Sequence, residues 1–193
     1  DGITATDLTV TLFRGSNNSG IHGIQILKVG DTDGDGLPDS WEVANGLDPS
    51  DNGETDPKNG AAGDPDGDLL DNAGEFARGT DPNKTDTDED GLTDLVETKT
   101  GTFASATDTG SSPTNSDTDG DTLKDGAEVE ANPFVTNPNL ADTDDDGLTD
   151  GAELAANPAT DPTKADTDGD SFSDSVEISS GTDPTDPGDF PKF

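Results

Sequence analysis

A twelve-residue acidic pattern recurs six times between Asp31 and Glu177, and it constrains this chain more than any other feature. The first copy reads Asp31-Thr-Asp-Gly-Asp-Gly-Leu-Pro-Asp-Ser-Trp-Glu42, with carboxylates at positions 1, 3, 5, 9 and 12 and Gly36 at position 6. Side chains at alternate positions 1, 3 and 5 of a tight loop converge on one point. Position 7 offers a backbone carbonyl, and position 12 brings a carboxylate back, usually with both oxygens. A glycine at position 6 permits the sharp turn. A shell of six or more oxygens built this way suits a hard divalent cation.

The candidate ligands of the first loop are Asp31, Asp33, Asp35, the Leu37 carbonyl, Asp39 and Glu42. The second loop repeats them as Asp64, Asp66, Asp68, Leu70, Asn72 and Glu75, and the third as Asp86, Asp88, Asp90, Leu92, Asp94 and Glu97. The fourth has Asp117, Asp119, Asp121, Leu123, Asp125 and Glu128. The fifth has Asp142, Asp144, Asp146, Leu148, Asp150 and Glu153, and the sixth Asp166, Asp168, Asp170, Phe172, Asp174 and Glu177. This is the schedule of an EF-hand-type calcium loop, so the expected cofactor is Ca²⁺, about six ions. Adjacent aspartates such as Asp144, Asp145 and Asp146 leave room for more. The copies are unequal. Position 6 is Gly36, Gly91 and Gly147 in three loops but Leu69, Thr122 and Ser171 in the others, where a side chain must tolerate positive φ or the turn must change shape. Leu69, together with neutral Asn72 at position 9, makes the second loop the expected weakest site.

The composition sharpens the metal reading. Of 193 residues, 45 are acidic and 9 basic, the net charge is −36, and only 25% are apolar, too few for the core of one ordinary globule. Most of the acidic side chains are claimed by the loops, and six divalent ions would cancel about a third of the net charge. Metal binding is then the main folding energy, and a metal-free chain is expected to be expanded. There is no cysteine, so disulfides and thiolate metal sites are excluded. The charge argues against nucleic acid or anionic membranes as partners, and no apolar run is long enough for membrane insertion. A single histidine, His22, leaves little for general-base chemistry, so an enzyme is not expected.

Residues 1–30 read differently. Leu8, Val10 and Leu12 alternate with Thr9 and Thr11, Ile24 to Val29 reads as a second strand, and Arg14 to Gly20 as the turn between. A lone hairpin is marginal in water. It is either the end of a neighbouring β-sandwich or a donor that pairs with another molecule, a route to self-association. From Asp31 the chain is an array of loops starting 33, 22, 31, 25 and 24 residues apart, with insertions near Ser50–Ala62 and Thr102–Asn115. Each loop is expected to run into a short helix: Ser40–Asn45, Ala73–Arg78, Leu95–Thr100, Gly126–Ala131, Gly151–Ala156 and Ser175–Ser180. The Asp-Pro and Asn-Pro pairs that follow, such as Asp48-Pro49 and Asp161-Pro162, either cap turns or reach a metal in an adjacent repeat. Position 7 and position 13 (Val43, Phe76, Thr98, Val129, Leu154, Ile178) are expected to meet in a small core per repeat, and Trp41 either joins it or binds a sugar.

The run Asp142-Thr-Asp-Asp-Asp-Gly-Leu-Thr-Asp-Gly-Ala-Glu153, with Thr160-Asp-Pro162 and Asp166-Thr-Asp-Gly-Asp170 after it, resembles the bacterial form of thrombospondin type 3 repeats over about residues 31–187. The resemblance implies Ca²⁺ held by the aspartates and glutamates above, in an extracellular setting. Dockerins and sensor EF-hands fit less well: there is no entering helix and no methionine, and position 8, apolar in paired EF-hands, is Pro38, Asp71, Thr93, Lys124, Thr149 or Ser173. The expected fold class is a mostly irregular, calcium-stabilised loop and short-helix repeat array, non-globular and rod-like. It has a β segment at 1–30, six repeats over 31–187 and a tail at 188–193. The expected function is an extracellular, cell-surface structural protein, a spacer, stalk or fibril subunit. The alternative is a cell-adhesion module recognising a protein or glycan.

Overall fold

The structure is a computed structural model describing the backbone at residues 9–14 and 21–27 and whole residues at 30–130 and 133–192. The chain divides into two compact units, Asp1–Thr85 and Asp86–Phe193. Both are mostly irregular. The first holds β1 (Thr9–Arg14) and β2 (Ile21–Leu27), antiparallel to each other, then α1 (Asp39–Ala44) and α2 (Asn72–Arg78). The turn expected between Arg14 and Gly20 lies outside the described residues from 15 on. The second unit holds α3 (Asp125–Val129), α4 (Asp150–Ala155) and α5 (Asp174–Ser180). No helix among the described residues is long and apolar enough to cross a membrane.

Each helix begins at loop position 9 and lasts under two turns. Position 8, polar in most loops, proves to be the N-cap: the side chains of Asp71, Thr149 and Ser173 accept the N–H groups of Gly74, Ala152 and Val176. Left-handed Gly79 (φ 83°) and Gly181 (φ 74°) close α2 and α5. The helix expected at Leu95–Thr100 does not form. The insertion after it folds back and takes its hydrogen bonds: Thr109 donates N–H to the Val96 carbonyl (3.0 Å), and the Lys99 and Gly101 N–H groups go to Ser111 and Gly110 (2.9 Å each). Lys99 also sits at φ 55°, outside the helical region.

The interior is inverted relative to an ordinary domain. Among the described residues the buried hydrophobic side chains are Leu37, Leu47, Leu70 and Leu92, whereas Glu42, Asn72, Asp94, Glu97, Asp125, Asp150, Glu153, Asp174 and Glu177 are wholly buried. The expected pairing of positions 7 and 13 is only half realised. Position 7 turns inward in the first three loops, but Val43, Phe76 and Ile178 are exposed. The inward face of each short helix is spent on the position 12 glutamate, and the next residue points about 100° away. Trp41 packs edge-on against Phe76, ring centroids 5.6 Å apart.

Candidate metal centres

Each loop is shaped by its own aspartates. The position 1 carboxylate accepts the N–H of position 4 in all six, as in Gly34 to Asp31 (2.8 Å), Glu89 to Asp86 (2.7 Å) and Gly169 to Asp166 (2.7 Å). The position 5 carboxylate accepts the N–H of position 7, as in Leu37 to Asp35 (2.8 Å) and Leu123 to Asp121 (2.7 Å). These local turns are what short acidic side chains do readily. The turn does not change shape where position 6 lacks glycine. Positions 4 and 6 have positive φ in every loop, and each loop has glycine at one of them at least. Leu69 (φ 81°), Thr122 (φ 87°) and Ser171 (φ 86°) accept the strain, offset by Gly67, Gly120 and Gly169 two residues earlier.

Positions 1, 3 and 5 come together. Oxygens of Asp31, Asp33 and Asp35 lie within 4.8 Å of one another, as do those of Asp64, Asp66 and Asp68, of Asp86, Asp88 and Asp90, and of Asp117, Asp119 and Asp121. Several of the loop oxygens lack a donor. At position 3, one buried oxygen of Asp33, Asp66, Asp119, Asp144 and Asp168, and both of Asp88, make no hydrogen bond. At position 12 the same holds for Oε2 of Glu128, Glu153 and Glu177 and for both oxygens of Glu42. Buried polar atoms are satisfied almost without exception, and a site for a cation is one of the few explanations for a whole set that is not. All-oxygen, anionic and preformed, the loops fit a hard divalent cation.

The electrostatics carry the same message. Burial first, and neighbouring carboxylates with it, raise the position 12 acids from the ordinary 4.5: Glu42 and Glu177 to about 7, Glu97 and Glu153 to about 8, Glu128 to about 9. Asp88, Asp119 and Asp144 at position 3 rise to about 6 for the same reason. Without a cation, crowded and desolvated carboxyls hold protons.

Position 9 behaves differently from the rest. Both oxygens of Asp125 accept from Thr118, one from its N–H (2.7 Å) and one from its hydroxyl (2.6 Å). The same two-point clamp joins Thr32 to Asp39, Thr87 to Asp94, Thr143 to Asp150 and Thr167 to Asp174. In the second loop the clamp is replaced: position 2 is Pro65, and the Asn72 amide donates to the Lys58 and Gly60 carbonyls (2.8 Å each). In the second unit, position 9 also faces the preceding loop. Asp125 stands with Asp90 and Glu97 of the third loop, oxygens within 4.8 Å. After burial, the charges of Asp121 and Asp146 weigh most among the neighbouring carboxylates that raise Asp150 and Asp174. Consecutive repeats are joined there too. The free arms of Asp90, Asp121 and Asp146 accept the N–H of the next loop's position 10: Gly126 (3.2 Å), Gly151 (2.7 Å) and Ser175 (2.9 Å).

Two sets of residues escaped the sequence reading. One is the position 2 threonines. The other is the hydroxyl residue before the Asp-Pro or Asn-Pro pair (before Ser112-Pro113 in the third repeat), which bonds Oε1 of the position 12 glutamate: Thr136 to Glu128 (3.0 Å), Thr160 to Glu153 (3.0 Å), Thr182 to Glu177 (3.5 Å), Thr80 to Glu75 (3.3 Å) and Ser111 to Glu97 (3.0 Å). Both recur in phase with the acids, and that recurrence was the available signal. The aspartates before proline act as turn caps: Asp48 accepts from Ser50, Asp161 from Thr163 and Lys164, and Asp183 from Thr185.

Serial acidic loops, five of them running into a short helix and those of the second unit linked through carboxylates, define an array of EF-hand-like cation-binding repeats. The chain belongs to the bacterial TSP3 repeat family, a family of calcium-binding repeats: its model matches residues 31–52, 86–102, 117–141, 142–165 and 166–187, more than half of the sequence. The second loop, with its altered clamp, lies outside these stretches. No curated protein sequence and no solved structure matches the chain.

Proposed function

We propose that this chain is an extracellular structural protein, a spacer or surface-fibre subunit, whose fold is held by serial Ca²⁺ ions, about one per loop. The observation that carries this reading is the buried carboxylate interior with its donorless oxygens, set against only four buried hydrophobic side chains among the described residues. Such an interior gains its folding energy from the ion. When bound, Ca²⁺ supplies charge neutralisation and a fixed coordination centre. The chain's own residues at positions 1, 3, 5 and 12 would hold it, while position 9 braces the loop and, in the second unit, faces the preceding one. The role is one of binding and support rather than catalysis. Residues 1–30 serve as a β segment that pairs with a neighbouring sheet, in a preceding domain or in another molecule.

The test compares the protein in millimolar calcium and in EDTA by electron microscopy and circular dichroism, with and without residues 1–30. Calcium-dependent, discrete elongated particles support a spacer. Filaments lost on chelation or on deleting residues 1–30 support a fibre subunit. A fold indifferent to EDTA refutes the metal role.

A further inference from the structure

The first loop differs from the others where the position 12 glutamate is held. In the second, fourth, fifth and sixth repeats a threonine donates its backbone N–H to the carbonyl of that glutamate and its hydroxyl to Oε1, as Thr160 does to Glu153 (3.2 and 3.0 Å). Leu47 occupies this place in the first repeat. Its N–H bonds the Glu42 carbonyl (2.8 Å), but its side chain is a buried hydrocarbon with no hydroxyl to offer. Glu42 is 0% exposed, and neither of its carboxylate oxygens has a hydrogen-bond partner, whereas Glu128, Glu153 and Glu177 each have one oxygen engaged.

We infer that Leu47 makes the first loop a calcium-selective site, by leaving both Glu42 oxygens to the cation, while the hydroxyl at the same place in the other repeats restrains the glutamate and makes those sites more tolerant of magnesium. The inference rests on the calcium reading above. Ca²⁺ accepts a chelating carboxylate within six to eight ligands, whereas Mg²⁺ demands a compact octahedron that the narrow bite of a chelating carboxylate distorts. A hydroxyl bonded to Oε1 opposes the rotation that puts both oxygens on one ion, and favours single-oxygen ligation, which Mg²⁺ tolerates. A leucine opposes nothing. Selectivity is thus set by a side chain that need not touch the metal.

The chain carries its own reporter. Trp41, the single tryptophan, precedes Glu42 at position 11 of the first loop, so terbium luminescence excited through it reports this loop, with an Asp64→Ala background to remove the second loop, whose Phe76 packs on the same ring. Calcium and magnesium are titrated against bound terbium in the full chain, and the ratio of the two half-displacing concentrations is read. With Leu47 retained, Mg²⁺ is expected to need roughly 100-fold more than Ca²⁺, and Leu47→Thr to narrow that ratio about tenfold. Trp41→Phe combined with Ala152→Trp moves the reporter to position 11 of the fifth loop and keeps an aromatic ring against Phe76. There the ratio starts lower, and Thr160→Val, which removes the hydroxyl with little change of volume, is expected to raise it about tenfold. The fifth-loop arm stands even if Leu47→Thr disturbs the fold. Equal ratios at the two loops, unmoved by either substitution, overturn the inference while leaving calcium binding intact. If calcium neither displaces terbium nor changes the circular dichroism, the calcium reading itself fails, and the inference with it.

Discussion

Replacing Glu128 with glutamine should push stability in opposite directions with and without calcium. Glu128 is 1% exposed, and its acid is raised to about 9 by burial, then by the charge of Asp119, despite the Thr136 hydroxyl on Oε1. In EDTA at about pH 7.4 the folded chain must hold this carboxyl protonated, about three units above its ordinary range, at a cost of about 4 kcal/mol. Glutamine has nearly the same shape, keeps an oxygen for Thr136, and places an amide donor toward the carboxylates that repel the native group. Without metal, Glu128→Gln should therefore stabilise by about 2–4 kcal/mol, the upper figure being the full protonation cost. In calcium the same change removes an anionic ligand from a buried site, a loss of about 3 kcal/mol or roughly 100-fold in affinity. The assay is a urea titration followed by circular dichroism, with hydrodynamic radius alongside, in EDTA and in saturating calcium. Shifts of the same sign in both conditions would refute the argument that this carboxylate is tolerated only because a cation sits against it.

Further outcomes follow from the same geometry. The raised acids bind protons more tightly in the metal-free fold than in the unfolded chain. That fold should therefore be most compact near pH 4, and should lose this contribution as pH rises through about 6 for Asp88, Asp119 and Asp144 and about 7 to 9 for the glutamates. Calcium affinity should run the other way and rise over the same window, with protons released on binding in a weakly buffered titration; a pH-independent affinity would contradict this. Gly151→Val should weaken the link between the fourth and fifth repeats by about 2–4 kcal/mol, because a Cβ there meets the Asp121 carbonyl and the Thr122 hydroxyl; an unchanged melting curve in calcium would dismiss that contact. Asp64→Ala should cost less calcium affinity than Asp86→Ala, because the second loop carries Leu69 at φ 81° and Asn72 in place of an acid. Equal losses by calorimetry would remove the distinction.

The metal loops were legible in the linear sequence because what shapes them is local. The turns that join position 1 to 4 and position 5 to 7 span three and two residues, and any acidic chain with this spacing can make them. Positions 1, 3 and 5 therefore converge for reasons written within twelve residues. Polar position 8 was legible too, but as evidence against EF-hand pairing; its work as the helix cap appears only when Thr149 and Ser173 are seen accepting backbone N–H groups. The absence of a helix after the third loop is not legible, because Leu95–Thr100 has helix-compatible residues and nothing local announces that Thr109, Gly110 and Ser111 will claim its hydrogen bonds.

What only the tertiary structure decided is how each loop is held and what it shares. Asp125 belongs to the fourth loop by spacing, yet it stands with Asp90 and Glu97 of the third, 35 and 28 residues earlier in the chain. The bond from Gly151 to Asp121 and the hydroxyl of Thr160 on Glu153 likewise depend on the path of the chain between loops. The convergence of the carboxylates at positions 1, 3 and 5 is a matter of local spacing, and twelve residues suffice to state it. Within the second unit the relation of one loop to the next depends on helices under two turns long and on an insertion that folds back, so it emerges only where carboxylates of consecutive repeats meet.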